Sequence, residues 1–169
     1  FALGGFRVVK DGHALLFPKK VQERPLSLLK ALVSLGGVEV PEHRIADRLW
    51  PDTEGDAAHG AFKTTLHRLR RLLGCHKAIR LSAGCVSLNQ RYCWLDVWAF
   101  DQAAARADAA WRSPGEEGND GAEELIRRAL DLYSGPLVLP DGEWALSLRR
   151  RLHSRFLRLI EILAGHSFV

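Results

Sequence analysis

Helical spacing of apolar residues dominates this chain, and alternation of apolar with polar residues appears only in short runs. The clearest helical pattern covers 56–74. At about 100° of rotation per residue, Ala58, Phe62, Thr65, Leu66, Leu69, Leu72 and Leu73 share one side. Gly60, Lys63, Thr64, His67 and Arg71 share the other, flanked by Arg68 and Arg70. The spacing predicts one helix, with Asp56 capping its start and Gly74 ending it. One face wants a protein core; the other is basic and carries no carboxylate. That second face reads either as solvated surface or as a surface that meets a polyanion.

The residues before it punctuate just as clearly. Around Asp11-Gly12 the stretch 3–17 alternates imperfectly, and this dipeptide suits a type I′ hairpin because both central positions need positive φ. Strands are expected near 6–10 and 14–17. Lys19, Lys20 and Arg24 follow, then a helix over 25–35, opened by Pro25. Leu28, Leu29, Leu32, Val33 and Leu35 make its apolar face, and Gly36-Gly37 stops it. Residues 38–40 read as a short extended link. Pro41 opens the next helix, with Ile45 and Leu49 inward and Arg44 and Arg48 outward, until Trp50-Pro51 ends it. Beyond Gly74, 78–81 and 85–88 form strand-like runs around Ser82-Ala83-Gly84. The order β, β, α, α, α, β, β over 1–90 describes a winged helix-turn-helix, with six residues, 51–56, joining its second and third helices.

The remainder, 91–169, reads as helices alone. Asp96 is expected to cap one through 110, SPGEEGNDG to form an acidic loop, and Asp120 to cap the next, closed by Gly135-Pro136. A last helix starts at Asp141 and turns Leu148, Leu152, Phe156, Leu159, Ile160 and Leu163 inward. Arg149, Arg150, Arg151, Arg155 and Arg158 read as an exposed face of that helix, partly neutralised by Glu143 and Glu161. Trp94, Trp98 and Trp144 read as packing residues. The fold class is therefore mainly α with small β-hairpins.

Charge sharpens the division into modules. Residues 1–90 carry 14 Lys/Arg against 8 Asp/Glu, and 91–169 carry 10 against 12. A basic first half and a mildly acidic second half imply that the first faces a polyanion. Cys75, Cys85 and Cys93 lack the close pairs of a zinc site, so free thiols in a reducing cytoplasm are expected and no metal or other cofactor is. No run of apolar residues is long enough to span a membrane. There is no P-loop, GxSxG or HExxH, and no spacing that assembles a nucleophile, base and orienting group, so enzymatic activity is not expected. The chain contains no Met and begins at Phe1, which reads as a piece of something longer.

Several segments resemble a known family. RPLSLLKALVSLGG, EHRIADRLWPD and HRLRRLLG, with the hairpin ending at Leu88, are similar to the OmpR-type winged helix, and more closely to its variant in the SARP-type bacterial activators. LDVWAFDQAAA, RRALDLYSGPLV and EWALSLRRRLHSRFLRL are similar to the start of that family's bacterial transcriptional activation domain. The resemblance implies a tetratricopeptide-like module over 91–169, binding of promoter DNA as pairs on repeated sites, and recruitment of RNA polymerase. It implies that the 51–56 loop, with Asp52, Glu54 and Asp56, touches polymerase; a polar turn that supplies the helix cap is the other reading. His59, Lys63 and Arg68 match positions often basic in the family, which implies that His59 too contacts DNA, whereas Gly60 stands where a polar side chain, commonly Asn, is usual.

These observations define a candidate site for double-stranded DNA. A helix over 57–73 fits the major groove, where Lys63, Thr64 and His67 would lie nearest base edges and Arg68 and Arg71 nearer phosphates. Arg44, Arg48, Lys20 and Arg24 are candidate phosphate anchors. The competing reading is a protein-interaction adaptor that has lost DNA binding, consistent with Gly60 and a hairpin tip that has no long basic side chain.

Overall fold

The computed structural model describes residues 1–17, 23–53, 55–113, 120–139 and 143–166. The chain is mainly helical with small antiparallel sheets. It divides into two units, Val8–Cys93 with Leu139–Ala145, and Phe1–Arg7 with Trp94–Val138 and Leu146–Val169.

In the first unit, Asp11 and Gly12 adopt φ of 50° and 80°, the two positive angles of a type I′ turn. They join β1 (Val9–Lys10) to β2 (His13–Ala14), paired antiparallel. The alternation predicts longer strands; all four paired residues are exposed, so no core holds the rest of the pattern in register. Helix α1 (Glu23–Ser34) buries Leu28, Leu29, Leu32 and Val33 as spaced, while Leu35 lies beyond its end. Pro25 stands third rather than first, still within the turn whose N–H groups have no helical partner. The helix closes in a Schellman motif: Gly37 N donates to Leu32 O at 2.9 Å and Gly36 N to Val33 O at 3.0 Å, with Gly36 at φ 97°.

The expected extended link, 38–40, bends at Val38 and Glu39, with Glu39 at φ 49°, and only Val40 is strand. With Pro41 it forms β3 (Val40–Pro41), which pairs with β5 (Cys85–Leu88), and β5 pairs on its other side with β4 (Ile79–Ser82). As the edge of the β3-β5-β4 sheet, β3 tolerates a proline. Pro41 therefore precedes α2 (Glu42–Leu49) instead of opening it. Helix α3 (Gly55–Leu73) begins one residue before Asp56, whose charge then complements the first turn from within. Ala58, Phe62, Thr65, Leu66 and Leu69 are buried; Leu72 and Leu73 are half-buried, since the last turn overhangs the core. Gly74 takes φ 63° and ends the helix as its spacing predicts. Leu28, Leu32, Ile45, Phe62, Leu66, Leu69, Ile79 and Val86 form the fully buried centre, bringing α1, α2, α3 and the sheet around one core.

The second unit holds α4 (Asp96–Arg112), α5 (Asp120–Leu132) and, from Leu146 on, α6 (Glu143–His166). Helices α4 and α5 pack together, and Phe100, Ala104, Ala107, Ile126 and Ala129 are buried. Tyr133 lies against Phe100 and stacks on Phe156, with centroids 5.0 and 4.2 Å away, and burial pushes its phenol pKa up. On α6, Leu148, Leu152 and Leu159 are buried as expected, but Ile160 is exposed, being about 100° round the helix from Leu159. The expected start at Asp141 lies outside the described residues.

Asp96 does not cap α4; Leu95 does, and Asp96 is the first helical residue. Its buried carboxylate accepts from Ala2 N at 2.9 and 2.8 Å through Oδ1 and Oδ2, from Leu3 N at 2.8 Å and from Val97 N at 2.9 Å. Backbone pairing extends that grip, with Gly4 N donating to Pro136 O at 3.0 Å and Val138 N to Ala2 O at 2.9 Å. Of the α6 arginines, Arg151, Arg155 and Arg158 pair with carboxylates of α4, Arg149 Nε donates to Leu137 O at 3.1 Å, and Arg150 is exposed as expected. Arg155 Nη1 reaches Asp101 Oδ1 at 2.9 Å and Arg158 Nε reaches Asp108 Oδ1 at 2.6 Å. Among the described residues no helix is long and apolar enough to cross a membrane.

Candidate nucleic-acid interface

Burial of one side of α3 fixes what its other side presents. Because Phe62, Leu66 and Leu69 are in the core, Gly60, Lys63, Thr64, His67, Arg68 and Arg71 are held exposed along the opposite face. Arg70, between the two faces, is half-buried and donates from Nε and Nη2 to Ile79 O at 3.1 and 2.8 Å. It thereby fixes the C-terminal part of α3 against β4.

Helix α2 packs against both α1 and α3. Its Arg44 is exposed and Arg48, one turn on, is half-buried. The pKa of Arg48 is lowered, first by burial and then by the charge of Arg44. Positive charge is thus concentrated on this side of α2 in spite of mutual repulsion.

Two other expected DNA contacts have partners within the protein. Arg24 Nη1 donates to Leu49 O at 2.6 Å, satisfying a carbonyl at the α2 C-terminus where positive charge is favourable. His59 Nδ1 is hydrogen-bonded to Glu42 Oε1, in a pair where Glu42 is far more enclosed than His59. Lys20 lies outside the described residues. Asp52 in the loop before α3 and Asp56 in the first turn of α3 are exposed, and Glu54 lies outside the described residues.

The β4–β5 turn is made by Ala83 and Gly84 at φ 50° and 72°, a second type I′ pair, with no long side chain at its tip. Arg80 on β4 is exposed, and Lys77 Nζ stands 6.0 Å from the centroid of the Tyr92 ring. The rings of His67 and His76 are 6.1 Å apart, and among the described residues no group of three His, Cys, Asp or Glu could hold a metal.

The structure thus exposes Lys63, Thr64, His67, Arg68 and Arg71 on one face of α3, and α2, packed against α3, carries Arg44 and Arg48. The positioning residues Glu42 and Arg70 escape a reading of the sequence for this site. Arg70 leaves a signal, since it flanks the apolar stripe; Glu42 leaves none, being 17 residues from His59 with no periodic relation to it.

Gly60 has no packing reason to be glycine: an added Cβ would meet nothing within 4 Å. Gly60→Ala is therefore expected to stabilise the fold by about 1 kcal/mol, raising a thermal melting midpoint by about 3 °C.

Comparison with known proteins defines the class first. Residues 95–168 match the family model of the bacterial transcriptional activator domain, so the α4–α6 region belongs to that domain family. The chain as a whole is a distant relative of the AfsR regulators. It is 31% identical over 160 residues, 94% of its length, to regulatory protein AfsR of Streptomyces coelicolor. Over 151 residues, 89% of its length, it is 30% identical to regulatory protein AfsR of Streptomyces griseus. It spans 16% and 15% of those two proteins. These findings bear out the resemblance to the SARP-type activators.

Proposed function

We propose that this chain is a sequence-specific, DNA-binding transcriptional activator. In this reading 1–90 is a winged helix-turn-helix DNA-binding domain, with the β4–β5 hairpin as its wing, and 91–169 a tetratricopeptide-like module for regulation. The observation that carries it is the α3 outer face, where Lys63, Thr64, His67, Arg68 and Arg71 are exposed together on a helix anchored by its other side. Helix α3 enters the major groove; Lys63, Thr64 and His67 meet base edges, and Arg68, Arg71, Arg44 and Arg48 meet phosphates. The relatives are named regulatory proteins, which supports a regulatory role. In the same reading Asp52 and Asp56 meet RNA polymerase, two copies bind repeated sites, and the protein works in the cytoplasm, where promoter DNA lies.

A salt titration of duplex binding tests the reading. Neutralising about six phosphates predicts a log–log slope of affinity against salt near −5, and Arg71→Ala should make that slope shallower by about 1. Absence of salt-dependent binding to every sequence in a random duplex pool would rule out the DNA reading and leave the adaptor.

A further inference from the structure

We propose that Glu42 is a positioning residue that makes the His59 contact with DNA proton-dependent. The inference rests on the DNA-binding reading and adds His59 to it as a contact under control. Glu42 is the first residue of α2, and its backbone N–H donates to Gly84 O, in the β4–β5 turn, at 2.8 Å. Its carboxylate takes His59 Nδ1, in the second turn of α3. One residue therefore joins the hairpin tip to the start of the base-reading helix.

The chemistry of the pair sets what His59 can offer outward. An ionised carboxylate only accepts hydrogen bonds, so His59 Nδ1 must carry the proton. In a neutral imidazole the other nitrogen, Nε2, is then a bare acceptor, and a phosphate oxygen, itself an acceptor, has nothing to bind. Protonation places a second N–H on Nε2 and gives the phosphate a charged donor. The ring is half exposed, with a side-chain accessibility of 49%, whereas Glu42 has 12%; the carboxylate is the enclosed partner and the imidazole has surface to meet DNA. Among the described residues, the charged or titratable side chains nearest in sequence on the two helices are Asp56 one turn earlier and Lys63 one turn later on α3, with His43 and Arg44 following Glu42 on α2; the turn residues Ala83 and Gly84 supply none.

Two measurements on the full chain test this. Nitrogen-15 chemical shifts of His59 in the free protein should show the proton on Nδ1 in the neutral ring; a proton on Nε2 would overturn the proposal whether or not DNA is bound. Duplex dissociation constants are then measured from pH 8.5 to 5.5 at constant ionic strength. His59→Asn keeps a donor toward Glu42 and lacks the outward nitrogen. The ratio of its dissociation constant to that of the unchanged chain should rise about five-fold as pH falls, in keeping with one charged hydrogen bond at an exposed site. Glu42→Gln lets the amide donate or accept, so a neutral ring regains an outward N–H and the pH dependence should flatten. A ratio constant with pH, or a Glu42→Gln profile parallel to the unchanged chain, would overturn the proposal while binding itself persists. Loss of binding by every form at every pH would instead reject the DNA reading on which it rests.

Discussion

Phe62→Ala is expected to cost the Val8–Cys93 unit about 4 kcal/mol, most of the stability of an ordinary small domain. Phe62 is fully buried beside Leu66 and Leu69 of its own helix and in one core with Leu28, Leu32 and Ile45. Truncation removes the aromatic volume and leaves a cavity that helices pinned by their own buried residues cannot collapse. Denaturant unfolding followed by circular dichroism should show a lower midpoint, and duplex binding should fall with it because α3 loses the anchor that orients its outer face. Lys63→Ala, one residue along but on the exposed side, is the matched control. It should leave stability within about 0.5 kcal/mol while weakening DNA binding, so that fold and interface are read separately.

Asp96→Ala is expected to destabilise the helical unit by about 3 kcal/mol. The carboxylate is acceptor to three backbone N–H groups, those of Ala2, Leu3 and Val97. Its charge sits at the N-terminus of α4, where the helix dipole favours an anion. Alanine leaves those donors without their acceptor and releases the segment that also pairs with 136–138. Amide hydrogen exchange at Ala2 and Leu3 should speed up markedly, together with a lower thermal midpoint. Asp96→Asn, which keeps one carbonyl oxygen and no charge, should fall between. Equal exchange rates in all three forms would show that the carboxylate does not hold the segment.

What was legible in the sequence was local. The two faces of α3, the Asp11-Gly12 turn, the Gly36-Gly37 stop and the Gly74 terminus each follow from residues within a few positions of one another. They survive because a buried stripe or a positive φ admits few alternatives. What was illegible depends on partners far along the chain. Strand β3 is two residues long and includes a proline; only its pairing with β5 makes it a strand. Asp96 looks like a helix cap until the Ala2 and Leu3 amides, more than ninety residues away, take its oxygens. At the candidate site the exposed α3 residues could be picked out because apolar spacing dictates its complement. The engagement of Arg24 with Leu49 O and of His59 with Glu42 could not, since long polar side chains choose partners by tertiary proximity.

The grip of Asp96 on Ala2 and Leu3 also bears on how the polypeptide can be dissected. A cut at residue 90, where the composition changes, severs Ala2–Gly4 from the carboxylate and from the 136–138 backbone that hold it. The N-terminal fragment would then begin with a solvated tail, and the C-terminal fragment would bury an anion stripped of two of its donors. Residues 1–7 supplied as a separate peptide are expected to restore those donors in trans. The helical fragment is in this sense a receptor for that segment.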